Sequence, residues 1–127
     1  MKFEKECEIV WHDRKRFMGM PLSFTRYYIV KKNNEWVKLF RHKGFFSSVI
    51  DEVNLYRCFD VTLQASLADK IFGTGSIKIE SNDAGLPEFY LLHIANPYKI
   101  RDLLSNLIEI ERKKRRVGIT EFQAPQE

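Results

Sequence analysis

One amphipathic helix, placed last, limits what this chain can fold into. Asn96 reads as its N-cap, and Pro97 sits at the first helical position, where its missing N–H is not needed. Ile100, Leu103, Leu104, Leu107 and Ile108 then recur at helical spacing and form one apolar stripe. The cations Arg112, Lys113, Lys114, Arg115 and Arg116 complement the dipole at the C-terminal end, and Gly118 reads as the stop signal. Everything upstream reads as short β-rich runs. Strands followed by one helix is an α+β order, and the lack of βαβ alternation argues against a doubly wound sheet. The stripe needs an apolar partner, which the open end of a curved antiparallel sheet supplies.

The upstream runs are bounded by turn residues. Glu8–His12 reads as the first strand, followed by a bent connection through Gly19 and Pro21. Residues 22–32 and 35–42 read as a hairpin about Asn33-Asn34, since Asn tolerates positive φ. A two-residue turn there predicts Val30 opposite Val37, Tyr28 opposite Leu39, and Arg26 opposite Arg41. Directly opposed like charges are unfavourable across strands, so the last pair would need an anion, a carboxylate or water. Phe45–Ile50 reads as a strand broken by Asp51-Glu52. Further strands are expected within 53–63, over 76–81 and over 89–95, with a short turn or single helical turn at 66–72. The whole chain reads as a single domain with a core over 8–116 and a mobile tail over 117–127.

Composition narrows the function. A chain of 127 residues that is 44% hydrophobic and 30% charged can bury a core without disulfides or metal. No apolar run approaches the ~18 residues of a membrane helix, and the start has no apolar leader core. These features point to a cytoplasmic protein, with association at the inner face of the membrane as its peripheral variant. The net charge of +4 hides an uneven distribution. Residues 14–43 carry nine cations and one acid, Glu35, whereas 51–110 carry five cations and nine acids. A basic third suits phosphate-bearing partners or an acidic protein surface. Its candidate anion-binding residues are Arg14, Lys15, Arg16, Arg26, Lys31, Lys32, Lys38 and Arg41.

Catalytic and metal signatures are missing. Cys7 and Cys58 lack a C-x-x-C spacing and read as reduced thiols, Cys58 as a small core residue. His12, His42 and His93 are isolated, without metal-ligand spacing. No nucleophile elbow, zinc-protease or P-loop motif occurs. Asp51 and Glu52 are adjacent and would face opposite sides of a continuing strand. The reading is therefore non-enzymatic, with no cofactor and no metal.

Leu55-Tyr56-Arg57-Cys58-Phe59-Asp60-Val61, then Ser66-Leu67, then Phe72-Gly73-Thr74-Gly75-Ser76-Ile77 resembles the bacterial pleckstrin-homology-like family of YdbS/YdbT-type PH domains. Phe24–Val30 is similar to an earlier strand of that family, and Ile94-Ala95-Asn96-Pro97 to its entry into the last helix. The resemblance spans about Glu8 to Arg116. It implies a PH-like barrel of two orthogonal antiparallel sheets, about seven strands, capped by a C-terminal helix. Cys58 stands where the family has Ile or Val, and Tyr28 where Arg is common. Gly73 and Gly75 are expected at a positive φ or a close backbone approach. Arg57 and Asp60 are candidates to pair at the strand edge.

The reading favours an interaction module for a protein partner or for self-assembly, through a strand edge or the helix end. The alternative is an anionic ligand, or the phospholipid headgroups of a membrane surface, held on the basic face. Nucleic acid ranks last. Tyr27, Tyr28, Trp36 and Phe40 lie among cations, but at strand positions where core packing accounts for them.

Overall fold

The computed structural model describes residues 7–20, 23–32 and 36–123, with side chains as far as Arg115. Within them, seven strands form two antiparallel sheets. β1 (Cys7–Arg14), β2 (Thr25–Lys32), β3 (Trp36–Lys43) and β4 (Val49–Asn54) follow one another in the first. β5 (Cys58–Gln64), β6 (Thr74–Ser81) and β7 (Glu88–Ala95) make the second. A 3-10 turn, Leu55–Arg57, links the sheets; α1 (Leu67–Phe72) joins β5 to β6; α2 (Pro97–Gln123) comes last. This is the α+β class expected from the strand-then-helix order and the PH-like arrangement that the resemblance implies.

The inner faces of both sheets and the stripe of α2 make one core. Tyr27, Ile29, Leu39, Val53, Ile77, Ile79, Phe89 and Leu91 meet Ile100, Leu104 and Ile108 there, with Leu103 and Leu107 at its margin. Each such side chain, fully buried, contributes roughly 1.5–3 kcal/mol. Three polar contacts fix how the layers meet. The buried Glu111 carboxylate accepts the Val37 N–H at 2.8 Å and pairs with Lys114, tying α2 to the start of β3. The Leu92 N–H donates to the Tyr27 hydroxyl oxygen at 3.0 Å, tying β2 to β7. The Ala95 N–H donates to Asp13 at 3.0 Å, tying β1 to the end of β7.

Both glycines marked by the sequence have their reasons. Gly73 caps α1 in the left-handed region at φ 68°. A Cβ on Gly75 would lie 2.9 Å from the Pro97 ring, so only glycine lets the start of α2 approach β6. Asn96, at φ 50°, gives its carbonyl to the Ile100 N–H, the opening bond of α2.

Four expectations are corrected. The β2–β3 register is one residue longer than a two-residue turn allows: Lys32 pairs with Trp36, so Val30 faces Lys38, Tyr28 faces Phe40, and Arg26 faces His42. The turn residues Asn33 and Asn34 lie outside the described residues. Arg41 instead faces Tyr27 and Asp51, and Asp51 accepts from it at 2.7 and 3.1 Å. That pairing carries β4 straight through Asp51-Glu52, where the sequence pattern suggests a break, and leaves residues 45–48 as a loop. Asp51 and Glu52 do face opposite sides, Glu52 meeting Lys38 at 3.7 Å. Arg57 lies against the Tyr56 ring while Asp60 accepts its neighbour's Val61 N–H, so the two do not pair. Finally, Gly118 does not stop α2, whose backbone continues to Gln123. A mid-helix glycine costs about 1 kcal/mol relative to alanine, too little by itself to end a helix.

If the stripe closes the core, Leu104→Ala lowers the unfolding free energy by about 2–5 kcal/mol. In urea this appears as a lower midpoint at unchanged slope. An unchanged midpoint would mean that α2 is not packed on the sheets.

Candidate functional site

Two surfaces of the fold gather functional side chains. The first is the end where β1 runs into β2 and β3 into β4. Arg14 and Arg26 are direct cross-strand partners, and Arg26 is the partner of His42. Alternation along the strands puts this row on the sheet face away from the core, because the neighbouring Tyr27 and Arg41 point inward. Lys15 lies just beyond, its N–H bonded to the Thr25 carbonyl at 2.9 Å. Lys43, opposite Thr25, completes the cationic end.

The other candidate cations lie elsewhere or are engaged. Arg16 donates to Asp13 at 3.1 Å and to the Gly19 carbonyl at 3.3 Å, bracing the β1–β2 connection. Arg41 is on the core side, paired with Asp51 and 4.8 Å from the centre of the Phe89 ring. Lys31, Lys32 and Lys38 belong to the opposite end, where β2 leaves for β3. Lys38 lies 4.7 Å over the Trp36 ring and Lys31 opposite Glu8. The structure thus brings Arg14, Lys15 and Arg26 to one end, engages Arg16 and Arg41 with carboxylates near it, and places Lys31, Lys32 and Lys38 at the other. The rings weighed for nucleic-acid stacking are packed: Tyr27 is in the core, and Tyr28, Val30 and Phe40 form a small cluster with Trp36 against it.

Sequence reasoning missed what surrounds those cations. Phe17, Met18, Met20 and Phe24 of the β1–β2 connection, Phe45 and Phe46 of the β3–β4 loop, and Leu67, Ile71 and Phe72 of α1 are all exposed. No periodicity marks such residues; the only signal was an excess of large apolar side chains in segments bounded by glycine.

α1 is latched to this end by one carboxylate. Asp69 accepts from the Ser66 N–H and hydroxyl, from the Thr74 hydroxyl at 2.8 Å, and faces His93 Nδ1 at 2.7 Å. Ser66 returns a capping box by accepting the Asp69 N–H. Burial alone would push the Asp69 carboxyl up. The bonds from His93, Ser66 and Thr74 outweigh it and hold the group at about 2. An Asp–His pair suggests acid–base work, but both nearby hydroxyls donate to the acid rather than facing the imidazole. The arrangement is a strut. Cys58 is buried, and that burial, with some help from Asp83, pushes its thiol up to about 12, away from the reactive thiolate. Among the described residues no group of His, Cys, Asp and Glu could hold a metal.

The second surface is a groove of about 530 Å³ between β5 and α2. Tyr56, Phe59, Asp60 and Val61 form one wall; Ser105, Ile108, Glu109, Arg112 and Arg115 form the other. Among the described residues β5 pairs only with β6, so its other backbone edge is open to a further strand. Phe59 is 47% exposed on that edge. Arg115 lies 4.8 Å over the Tyr56 ring and holds a cation at the groove mouth.

Two small sheets, a capping helix and an open strand edge are the frame of a binding module. The chain belongs to the bacterial PH domain family, whose model matches residues 18–108. No curated protein and no solved structure matches it. Among the described residues, no helix is long and apolar enough to cross a membrane.

The Asp69 latch carries a pH signature. Its carboxyl is depressed from 3.8 to about 2 on folding, so its stabilisation is complete above the unfolded value and is lost as pH falls through the folded one. Acid unfolding followed by circular dichroism should show about 2 kcal/mol of stability disappearing between those two values. Asp69→Asn should lack that part of the profile. Identical acid profiles for the two proteins would exclude the latch.

Proposed function

We propose that the domain is a non-enzymatic interaction module that docks an extended segment of a protein partner in the β5–α2 groove. The observation that carries this reading is the open edge of β5 beside a groove of about 530 Å³. Added strands gain main-chain hydrogen bonds along such an edge, while side-chain pockets supply selectivity. Here Phe59 and Val61 offer an apolar contact, and Arg112 and Arg115 attract a carboxylate. The same edge serves self-assembly if the docked segment comes from a second copy.

The cations gathered at the other end favour a second reading, an anion-binding surface. It is carried by Arg26, whose cross-strand neighbours are Arg14 and His42, with Lys15 and Lys43 at the same end. Cations gathered at one end of a sheet attract an anion.

The groove is tested with a photo-crosslinking amino acid at Phe59, and at Ile50 on the outer face of β4 as a control. The Phe59 position should trap a protein, whose mass separates a foreign partner from a second copy. Reversing charge at Arg112 and Arg115 together should lower the yield about tenfold, as loss of arginine anchors does at other interfaces. Equal trapping from Ile50, or none from Phe59, contradicts the reading.

A further inference from the structure

We propose that the loop end inserts its apolar tip into an anionic lipid bilayer, with the surrounding cations held at the headgroups. The inference rests on the anion-binding reading of the same end and names its ligand. Four observations support it.

First, the tip is built rather than left over. Phe17 and Met20 exchange backbone hydrogen bonds of 2.8 and 2.9 Å, closing a two-residue turn with Met18 at φ 51° and Gly19 at φ 82°. Both central residues at positive φ are the mark of a tight hairpin turn. Asn, Asp and Gly are the residues that adopt it cheaply, so methionine there is unfavourable for the turn. What the methionine supplies is an apolar side chain at the apex, 59% exposed.

Second, the apolar groups form two contacting sets at this end. The Phe24 and Phe45 ring centroids are 4.8 Å apart, and those of Phe45 and Phe46 are 4.7 Å apart. A Cβ on Gly19 would lie 3.4 Å from Phe72, so the turn rests on the end of α1, which also exposes Leu67 and Ile71. Phe46 is 98% exposed and therefore protrudes. A protein partner needs a cavity to receive such a point, whereas acyl chains part around it. Exposed apolar patches of this extent on a small domain mark an interaction site.

Third, the charges fit an anionic surface. Lys15, Arg26 and Lys43 stand at the same end of the sheet, and Lys70 is exposed on α1. Residues 15–24 and 43–48 contain no Asp or Glu. The acids closest in sequence are engaged: Asp69 is buried against His93, Asp13 is held by Arg16 and the Ala95 N–H, and Asp51 pairs with Arg41. Cations near an anionic leaflet are drawn to it, and salt screens the attraction. Fourth, the surface is separate from the groove, since none of the groove's walls belongs to the two loops or to α1.

The test uses the full chain with vesicles of phosphatidylglycerol and phosphatidylcholine, beside vesicles of phosphatidylcholine alone. The expected result is co-sedimentation with the anionic vesicles that weakens as salt is raised. Phe46→Ser should weaken it about tenfold or more, the loss expected when one phenylalanine no longer leaves water. Phe46 touches little of the fold, so unchanged circular dichroism is expected alongside. In Phe46→Trp, the emission should shift to the blue on adding anionic vesicles and stay in place on adding inorganic phosphate. No binding to anionic vesicles overturns both the insertion and the anion-binding reading. Binding that survives Phe46→Ser at full strength overturns insertion alone and leaves a charged surface. If light scattering without lipid shows a dimer that Phe46→Ser converts to monomer, the tip is covered by a second copy and the proposal fails.

Discussion

The packing of α2 across the open side of two small sheets is the constraint on which the rest depends. Neither sheet could bury its inner face alone. A three-stranded and a four-stranded sheet leave a gap where they diverge, and Ile100, Leu104 and Ile108 fill it. The buried Glu111 then fixes how far along the helix lies, because its carboxylate must meet the Val37 N–H. A carboxylate this buried is stable only with its partners, Val37 and Lys114, in place. The position of α2 in turn creates the groove, since one wall is β5 and the other is the flank of that helix.

The functional surfaces are what the core leaves over. Along β2, Tyr27 and Ile29 enter the main core while Tyr28 and Val30 enter the small outer cluster. The middle of the sheet is therefore occupied on both faces. Free chemistry is displaced to strand ends and strand edges. At one end it appears as exposed rings among cations; along β5 it appears as an open backbone edge. Asp69 connects the first of these to the core by fixing α1 against His93.

How much of this was legible depends on the range of the interaction involved. The stripe on α2 is local, repeats every turn, and was read directly from Ile100 to Ile108. The class of fold followed from element order. The β2–β3 register was not legible, because one extra residue in the connection moves every pair, and nothing in Asn33-Asn34 fixes its length. The β3–β4 boundary failed for a related reason. Asp51 looks like a strand breaker until Arg41 is known to stand opposite it. Phe45 and Phe46 suit a strand by propensity, and only the folded chain shows them projecting from a loop. The groove had no sequence signal at all, since its walls come from segments far apart in the chain. The basic third of the chain was legible as charge but not as shape: Arg16 and Arg41 are engaged by carboxylates, and the lysines at the far end stand apart.

The central claim is that one fold presents two separate faces, an apolar cationic tip for a lipid surface and a strand-edge groove for protein. Paramagnetic relaxation from spin-labelled lipid in anionic nanodiscs tests it most directly, read as amide signal loss along the chain. The account predicts strong loss at Met18, Gly19, Phe45 and Phe46, with Phe59, Ser105 and Arg112 unaffected. Strong loss along β5 and α2, with the loop signals intact, would contradict it.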